Sequence, residues 1–316
     1  MASTTKIMTA LLLCELGGDL SKEIVTTREM VTVEGSSMGL QVGDRVSYHD
    51  LLYGMMLSSG NDAANTVALS LGGSVSGFAR LMNERAKRMG LENTHFVTPS
   101  GLDAEGHYTT AYELALITKE ALANEQFAIA AAAKTVRLKY GNPPYNRTLT
   151  NHNKLLKMYD DVVGVKTGFT SKSGRCLVSA SRKDGKLVIA VTLNDKNDWQ
   201  DHRNLLDLGL SLIESKIISP KKSDYSVEVT NGEKIEVTIP AATISVTEKT
   251  RLSCLIKLPQ FIYAPVKQGD KIGSVGYYCN DNLVCELPLT ADRDVEYKQS
   301  ELVLFFETFK NLLLNI

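Results

Sequence analysis

Three short stretches of this 316-residue chain carry side chains suited to acyl transfer. The first is Ser3-Thr4-Thr5-Lys6, at the head of the apolar run "IMTALLLCEL". Residues i and i+3 on a helix lie about 5–6 Å apart at Cβ, so the amine of Lys6 reaches the hydroxyl of Ser3. Burial disfavours the ammonium form and leaves an amine free to act as a base, one route to a nucleophilic serine. Alone, the pattern is weak. About one Ser-x-x-Lys is expected by chance in a chain of this length, and Ser219-Pro220-Lys221-Lys222 is another, inside a proline-containing linker. A capping serine with a lysine stem lying along the helix reads the same way.

The second stretch is Ser59-Gly60-Asn61, between two helical patterns, and the third is Lys166-Thr167-Gly168, opening a β-branched run. A hydroxyl and an amide on a tight connection can flank a nucleophile, and glycine in an edge strand lets a substrate backbone approach closely. A second lysine brings charge for a substrate carboxylate and makes protonation of Lys6 less favourable. An N-cap loop and an ordinary strand lysine are the plain alternatives for each piece by itself. Joint occurrence in this order favours one site.

The elements that must position these residues follow from hydrophobic period. Residues 3–16 read as a buried helix stopped by Gly17-Gly18. Further helices are expected at 49–57 with Ser47 as a cap, from Asn61 or Asp62 onward, and at 75–89, 110–123 and 126–133. The period then changes: "VVGVKTGFT", "GRCLVSASRKDG" and "KLVIAVTL" predict a three-strand antiparallel meander, its last turn at Asp184-Gly185. Asn197-Asp198 opens an amphipathic helix that should pack on this sheet. The fold class is α+β over residues 1–219, followed by a small all-β domain at 224–296 read from runs such as "KIEVTIP" and "LSCLIKL". Residues 300–316, "ELVLFFETFKNLLLNI" at their core, are expected to form an amphipathic helix too short to span a bilayer, lying in a membrane interface or docked on protein.

The joined motifs resemble those of penicillin-binding proteins and serine β-lactamases. The chain as a whole resembles the low-molecular-mass penicillin-binding proteins that act as D-alanyl-D-alanine carboxypeptidases, through "ASTTKIMTALL", "EGSSMGLQVGD", "LLYGMMLSSGNDAANTVA", "FVTPSGLDAEGHYTTAYELA" and "VVGVKTGFTSKSGRCLVSAS". The resemblance covers residues 2 to about 290 and implies a β-lactamase/transpeptidase-like catalytic domain. It implies that Ser3 attacks the peptide carbonyl between two terminal D-alanines of peptidoglycan stem peptides, with Lys6 as base and Ser59 relaying protons. Asn61 would place the substrate amide, and Lys166 with Thr167 would hold its terminal carboxylate. Gly168 would admit the substrate backbone, and the backbone N–H groups of Ser3 and Phe169 would form the oxyanion hole. β-Lactams would be covalent inhibitors, no cofactor would be needed, and the enzyme would work outside the cytoplasmic membrane, resting on it through the C-terminal helix.

Departures from the family pattern accompany the resemblance. Some relatives carry a carboxylate-binding arginine after the last strand of the meander, where this chain offers Arg203 at a different offset, to which no such role is assigned. Phe169 stands where some relatives have histidine. The family also has a secretion signal and strand segments ahead of the nucleophile helix; here Met1-Ala2 precede Ser3, which implies either a fragment or a misassigned start, with sheet edges that the family covers expected to be bare. Three other readings share parts of the pattern. They are an endopeptidase acting on cross-links, a class A β-lactamase whose best glutamate is Glu120, and a non-catalytic envelope scaffold.

Composition excludes several classes. A formal net charge of -1 offers no pull toward nucleic acid, and 43% hydrophobic with 22% charged residues is a globular composition. No Gly-x-x-x-x-Gly-Lys or dinucleotide fingerprint occurs. Histidines 49, 95, 107, 152 and 202 have no metal-ligand spacing, and His107 is expected to be structural. The five cysteines form no Cys-x-x-Cys pair, and a Cys279–Cys285 bridge is the one pairing sequence leaves open.

Overall fold

Helix α1 (Lys6–Leu16) is the axis of the molecule's larger part, continuing from a 3-10 turn at Ala2–Thr5. The computed structural model describes residues 1–220 and 224–298. Residues 300–316, assigned to a C-terminal helix from sequence, lie outside the described residues. The chain divides into two compact units, Met1–Ser211 and the part from Leu212 onward.

In the first unit, α1 is buried on all sides through Ile7, Met8, Leu11, Leu12 and Leu13, so its sequence shows little amphipathic bias. A short hairpin, β1 (Glu23–Val25) with β2 (Arg45–Ser47), brackets the four-residue helix α2 (Arg28–Val31). Next comes α3 (Tyr48–Met56), started by a capping box in which Ser47 Oγ accepts from the Asp50 N–H while Asp50 Oδ2 accepts from the Ser47 N–H. Then follow α4 (Asn61–Gly72), α5 (Val75–Arg88), α6 (Ala111–Ala123) and α7 (Glu125–Ala132). A second hairpin, β3 (Thr135–Gly141) with β4 (Pro144–Thr150), and the one-turn helix α8 (Leu155–Met158) lead into the meander.

The meander is β5 (Val162–Thr170), β6 (Gly174–Lys183) and β7 (Lys186–Leu193), antiparallel in that order. Asp184 and Gly185 both have positive φ (51° and 76°), the geometry of the two-residue hairpin turn expected there. Strand alternation sends Val178 and Ala180 into the main core with α1, and Leu177 to the opposite face. Leu206 of α9 (Asp198–Leu212) covers that second face, packing with Leu177, Ala190, Leu155 and Leu156. The sheet is therefore a middle layer, and each face needs its own helices to exclude water.

Among the described residues the regular elements after α9, all in the second unit, are strands: β8 (Glu214–Ile218), β9 (Asp224–Thr230), β10 (Ile235–Thr238), β11 (Ala242–Val246), β12 (Leu252–Lys257), β13 (Phe261–Tyr263), β14 (Lys271–Cys279) and β15 (Asn282–Thr290). They form the sheets β8–β11, β10–β9–β13 and β12–β14–β15, with β13 parallel to β9 and the remaining pairs antiparallel. Strand β8 was placed in the first domain from sequence; its pairing with β11 puts it in the second unit. The core is Val227, Ile235, Val237, Val275, Tyr277 and Leu289, the inward residues of alternating runs. Cys279 and Cys285 are both free thiols, facing Asn282 and Tyr277 across the β14–β15 ladder.

Candidate active site

Ser3 sits on the 3-10 turn ahead of α1, next to Ala2 in the left-handed region (φ 48°). Thr4 Oγ1 donates to the Met1 carbonyl at 2.6 Å and ties the turn down. One helical turn later Lys6 is fully buried, at 0% exposure, with its Nζ 2.9 Å from Ser3 Oγ. The Asn61 Oδ1 and Ser100 carbonyl oxygens each accept from the amine at 2.7 Å.

The valences of this group decide its direction. A neutral amine has two N–H donors and one lone pair, and the carbonyl oxygens of Asn61 and Ser100 can only accept. In the neutral form these two acceptors take both N–H groups and the lone pair faces Ser3 Oγ, whereas in the protonated form the third N–H donates to Ser3 Oγ. The Asn61 orientation is fixed by its other end, because Nδ2 donates to the Glu34 carbonyl at 2.7 Å. The lysine's pKa is held well below its ordinary value, chiefly by burial and then by the charge of Lys166, with Asp62 pulling the other way.

Asn61 opens α4 and is anchored by its backbone N–H to the Ser36 carbonyl at 2.7 Å. Gly35, at φ +85°, lies so close that a Cβ there would come within 2.7 Å of Asn61 Nδ2. Next to it, buried Asp62 gathers the strap before it, accepting from Ser37 Oγ and from the Met38 and Leu40 N–H groups. Ser59, two residues before Asn61, holds φ 59° without being glycine, a strained conformation that directs a mostly buried side chain to the cleft.

Strand β5 forms the facing wall. Lys166 lies opposite Val178, whose side faces the main core, so the lysine is only 1% exposed and its Nζ donates to the Thr167 carbonyl at 3.0 Å. Burial pushes its pKa down to about 7. A Cβ on Gly168 would stand 3.0 Å from the Ser3 nitrogen and 3.1 Å from that of Thr4, so a side chain there would displace the Ala2–Thr5 turn. Phe169 points its ring outward at 67% exposure.

Between these walls runs an open cleft of about 490 Å³. Of the residues singled out from sequence, Ser3, Ser59, Thr167, Gly168 and Phe169 line it. Lys6, Asn61 and Lys166 stand behind the surface, Lys6 and Asn61 joined to Ser3 by the hydrogen bonds above. Ser36, His152, Arg175, Cys176, Asp198 and Trp199 also line the cleft and carry no sequence motif. Arg175 and Cys176 lie in the quoted "GRCLVSAS" stretch, where Arg175 faces α9 in alternation with Leu177. His152 is shifted toward the neutral form by burial and by Lys166.

Residues weighed for other roles fall elsewhere. His107 braces the site from behind. Its Nδ1 accepts from the Val97 N–H at 3.0 Å, so Nε2 carries the proton toward Thr5 Oγ1, 2.9 Å away, and burial lowers its pKa to about 4. Arg203 pairs with Asp207 at 2.8 Å and stacks on Tyr159, outside the cleft lining. Glu120 is paired with Arg85 at 3.1 Å and does not line the cleft, which leaves the β-lactamase reading without its glutamate there. Among the described residues no group of three or more His, Cys, Asp or Glu is arranged for a metal ion.

Comparison with known proteins gives two family matches. The model described as D-alanyl-D-alanine carboxypeptidase matches residues 1–197, and that described as penicillin-binding protein 5, C-terminal domain, matches residues 214–297. The chain is 30% identical to the D-alanyl-D-alanine carboxypeptidase DacF of Bacillus subtilis over 309 residues, 93% of this chain and 79% of that protein. It is 33% identical over 321 residues to DacC of Escherichia coli, also a D-alanyl-D-alanine carboxypeptidase, covering 93% and 78%. The crystal structure of DacD from Francisella tularensis superposes with a TM-score of 0.65 at 25% identity, covering 94% of this chain and 88% of that one.

Proposed function

The chain belongs to the D-alanyl-D-alanine carboxypeptidase family, and from that premise we propose how its residues divide the work. The enzyme is a serine peptidase that removes the terminal D-alanine from D-alanyl-D-alanine peptides. In our reading Ser3 Oγ attacks the carbonyl between the two D-alanines while its proton passes to the neutral amine of Lys6. The developing oxyanion accepts from the backbone N–H groups of Ser3 and Phe169. The proton then moves by way of Ser59 to the leaving nitrogen, releasing D-alanine and an ester on Ser3. Water hydrolyses the ester by the reverse proton path.

Asn61 holds Lys6 in place from behind the cleft surface, with Oδ1 on the lysine and Nδ2 on the Glu34 carbonyl, so the substrate-amide role expected from sequence has no free end of this side chain in the cleft lining. Thr167 and Gly168 take the substrate backbone along β5, and Lys166 keeps the base deprotonated. The observation that carries this reading is the setting of Lys6, a fully buried amine 2.9 Å from Ser3 Oγ whose other two partners, at 2.7 Å, are obligate acceptors, so that in the neutral form its lone pair faces Ser3. Penicillin opens on the same nucleophile, so mass spectrometry after exposure tests the assignment. One adduct on the peptide that contains Ser3, lost in Ser3→Ala, is expected. A chain that stays unlabelled while folded, or one labelled elsewhere, overturns it and favours a scaffold role.

The place of action follows from the substrate. Peptidoglycan stem peptides lie outside the cytoplasmic membrane, and the apolar and polar faces written into residues 300–316 suit an interfacial helix. Co-sedimentation with anionic phospholipid vesicles, lost on removing those residues, is the expected result. No helix among the described residues is long and apolar enough to cross a membrane.

A further inference from the structure

Removing a terminal residue sets an electrostatic requirement, because the bond cut lies one residue from a free carboxylate. A carboxylate entering a cleft loses water and needs a cation or directed donors in exchange. Lys166 is poorly placed for this: it is 1% exposed, and its Nζ is turned onto the carbonyl of its own neighbour, Thr167. His152 is disfavoured as a cation by its surroundings. Among the described residues that line the cleft, Arg175 is the one permanent cation.

Its setting is a built one. Arg175 stands on β6 directly across from Phe169 of β5, the residue that follows the Lys-Thr-Gly wall. Asp198, 4% exposed at the start of α9, accepts from Arg175 Nε at 3.1 Å and from Nη2, so one edge of the guanidinium is clamped. The Asp195 N–H donates to the Arg175 carbonyl at 2.9 Å, and the Trp199 ring lies 5.8 Å from Cζ. Nη1 has no protein partner among the described residues, and the side chain is 42% exposed. A fork fixed before binding loses little rotamer freedom when a ligand arrives. Because Asp198 offsets part of the charge, the free edge acts through directed hydrogen bonds at short range.

We infer that Arg175, braced by Asp198, receives the carboxylate of the leaving D-alanine through its free Nη1 edge, and so sets the preference for a charged chain end. Thr167 remains beside it as a hydroxyl donor. This rests on the reading of Ser3 as nucleophile in the same cleft, and it moves the charge-reading task from Lys166 to a residue outside the three motifs.

The test compares two peptides with the same acyl part, one ending in D-alanyl-D-alanine and one in D-alanyl-D-alaninamide, which lacks the charge. The ratio of their kcat/KM values is measured for the wild type, Arg175→Gln and Arg175→Lys. Wild type favours the carboxylate; Arg175→Gln should lower that preference roughly 10- to 100-fold, the worth of a charge-assisted pair, and Arg175→Lys should fall between. Each ratio is internal to one preparation, so loss of folded protein lowers both rates and leaves it unchanged. A preference in Arg175→Gln within about twofold of wild type, with Ser3 still labelled by penicillin, overturns the role of Arg175 alone. Absence of both label and cleavage in the wild type removes the underlying reading, and this inference with it.

Discussion

The two units handle buried polarity in opposite ways. The first hides Lys6, Lys166, Asp62, Asn61 and His202 among its core side chains, whereas Ser274, 9% exposed, is the one polar or charged residue of the second that counts as buried among the described residues. The second is a plain alternating β assembly whose inward residues are aliphatic or aromatic. Buried amines are unfavourable unless every donor finds an acceptor, so the first unit carries an electrostatic burden that the second avoids. Buried polar groups that packing alone would exclude are therefore concentrated in the first unit.

That contrast can be broken first in the second unit. Ile235 is fully buried there, and Ile235→Ala should cost about 2–5 kcal/mol of that unit's stability through lost burial and a cavity. Urea denaturation measures the loss, while the rate of penicillin acylation at Ser3 should stay unchanged. A matching fall in acylation would mean that the packing unit takes part in chemistry. In the first unit Gly168→Ala should do the reverse. Its Cβ meets the backbone nitrogens of Ser3 and Thr4, and a shift of the nucleophile by a fraction of an ångström should slow acylation about 10- to 100-fold. Thermal unfolding should move little by comparison.

The smallest effect sharpens the contrast through pH. Lys166 lowers the pKa of Lys6, so Lys166→Gln should raise it and move the acid limb of the acylation profile to higher pH. An unmoved limb would remove Lys166 from the control of Lys6. The same residue contributes to stability with a definite sign. Its folded pKa of about 7 lies below the ordinary 10.5, so between these values the unfolded chain binds more protons and stability rises with pH. Lys166→Gln should flatten that rise.

How much of this was legible in the sequence depends on whether the controlling contacts are local. The capping box at Ser47, the glycine-terminated α1 and the Asp184-Gly185 turn are written in neighbouring residues, and the elements appear within a residue or two of expectation. Two hairpins were not foreseen. The β1 and β2 strands are three residues long and pair across 19 intervening positions, and the β3–β4 turn uses Gly141 with two prolines in place of an Asn-Gly or Asp-Gly signal. For the site, Ser3 and Lys6 announce themselves by helical spacing, whereas the Ser100 carbonyl that completes the lysine's shell is a backbone atom and has no sequence signature. Arg175 and Asp198 stand 23 positions apart and meet only because α9 folds back over the sheet.

The shell around Lys6 is drawn from residues 3, 61 and 100, three stretches that come together only in the finished fold. An incompletely folded chain would therefore carry an ordinary alcohol beside an ordinary ammonium ion and would attack nothing. On the proposed roles of Ser3 and Lys6, reactivity would arrive only with the last of these segments to dock.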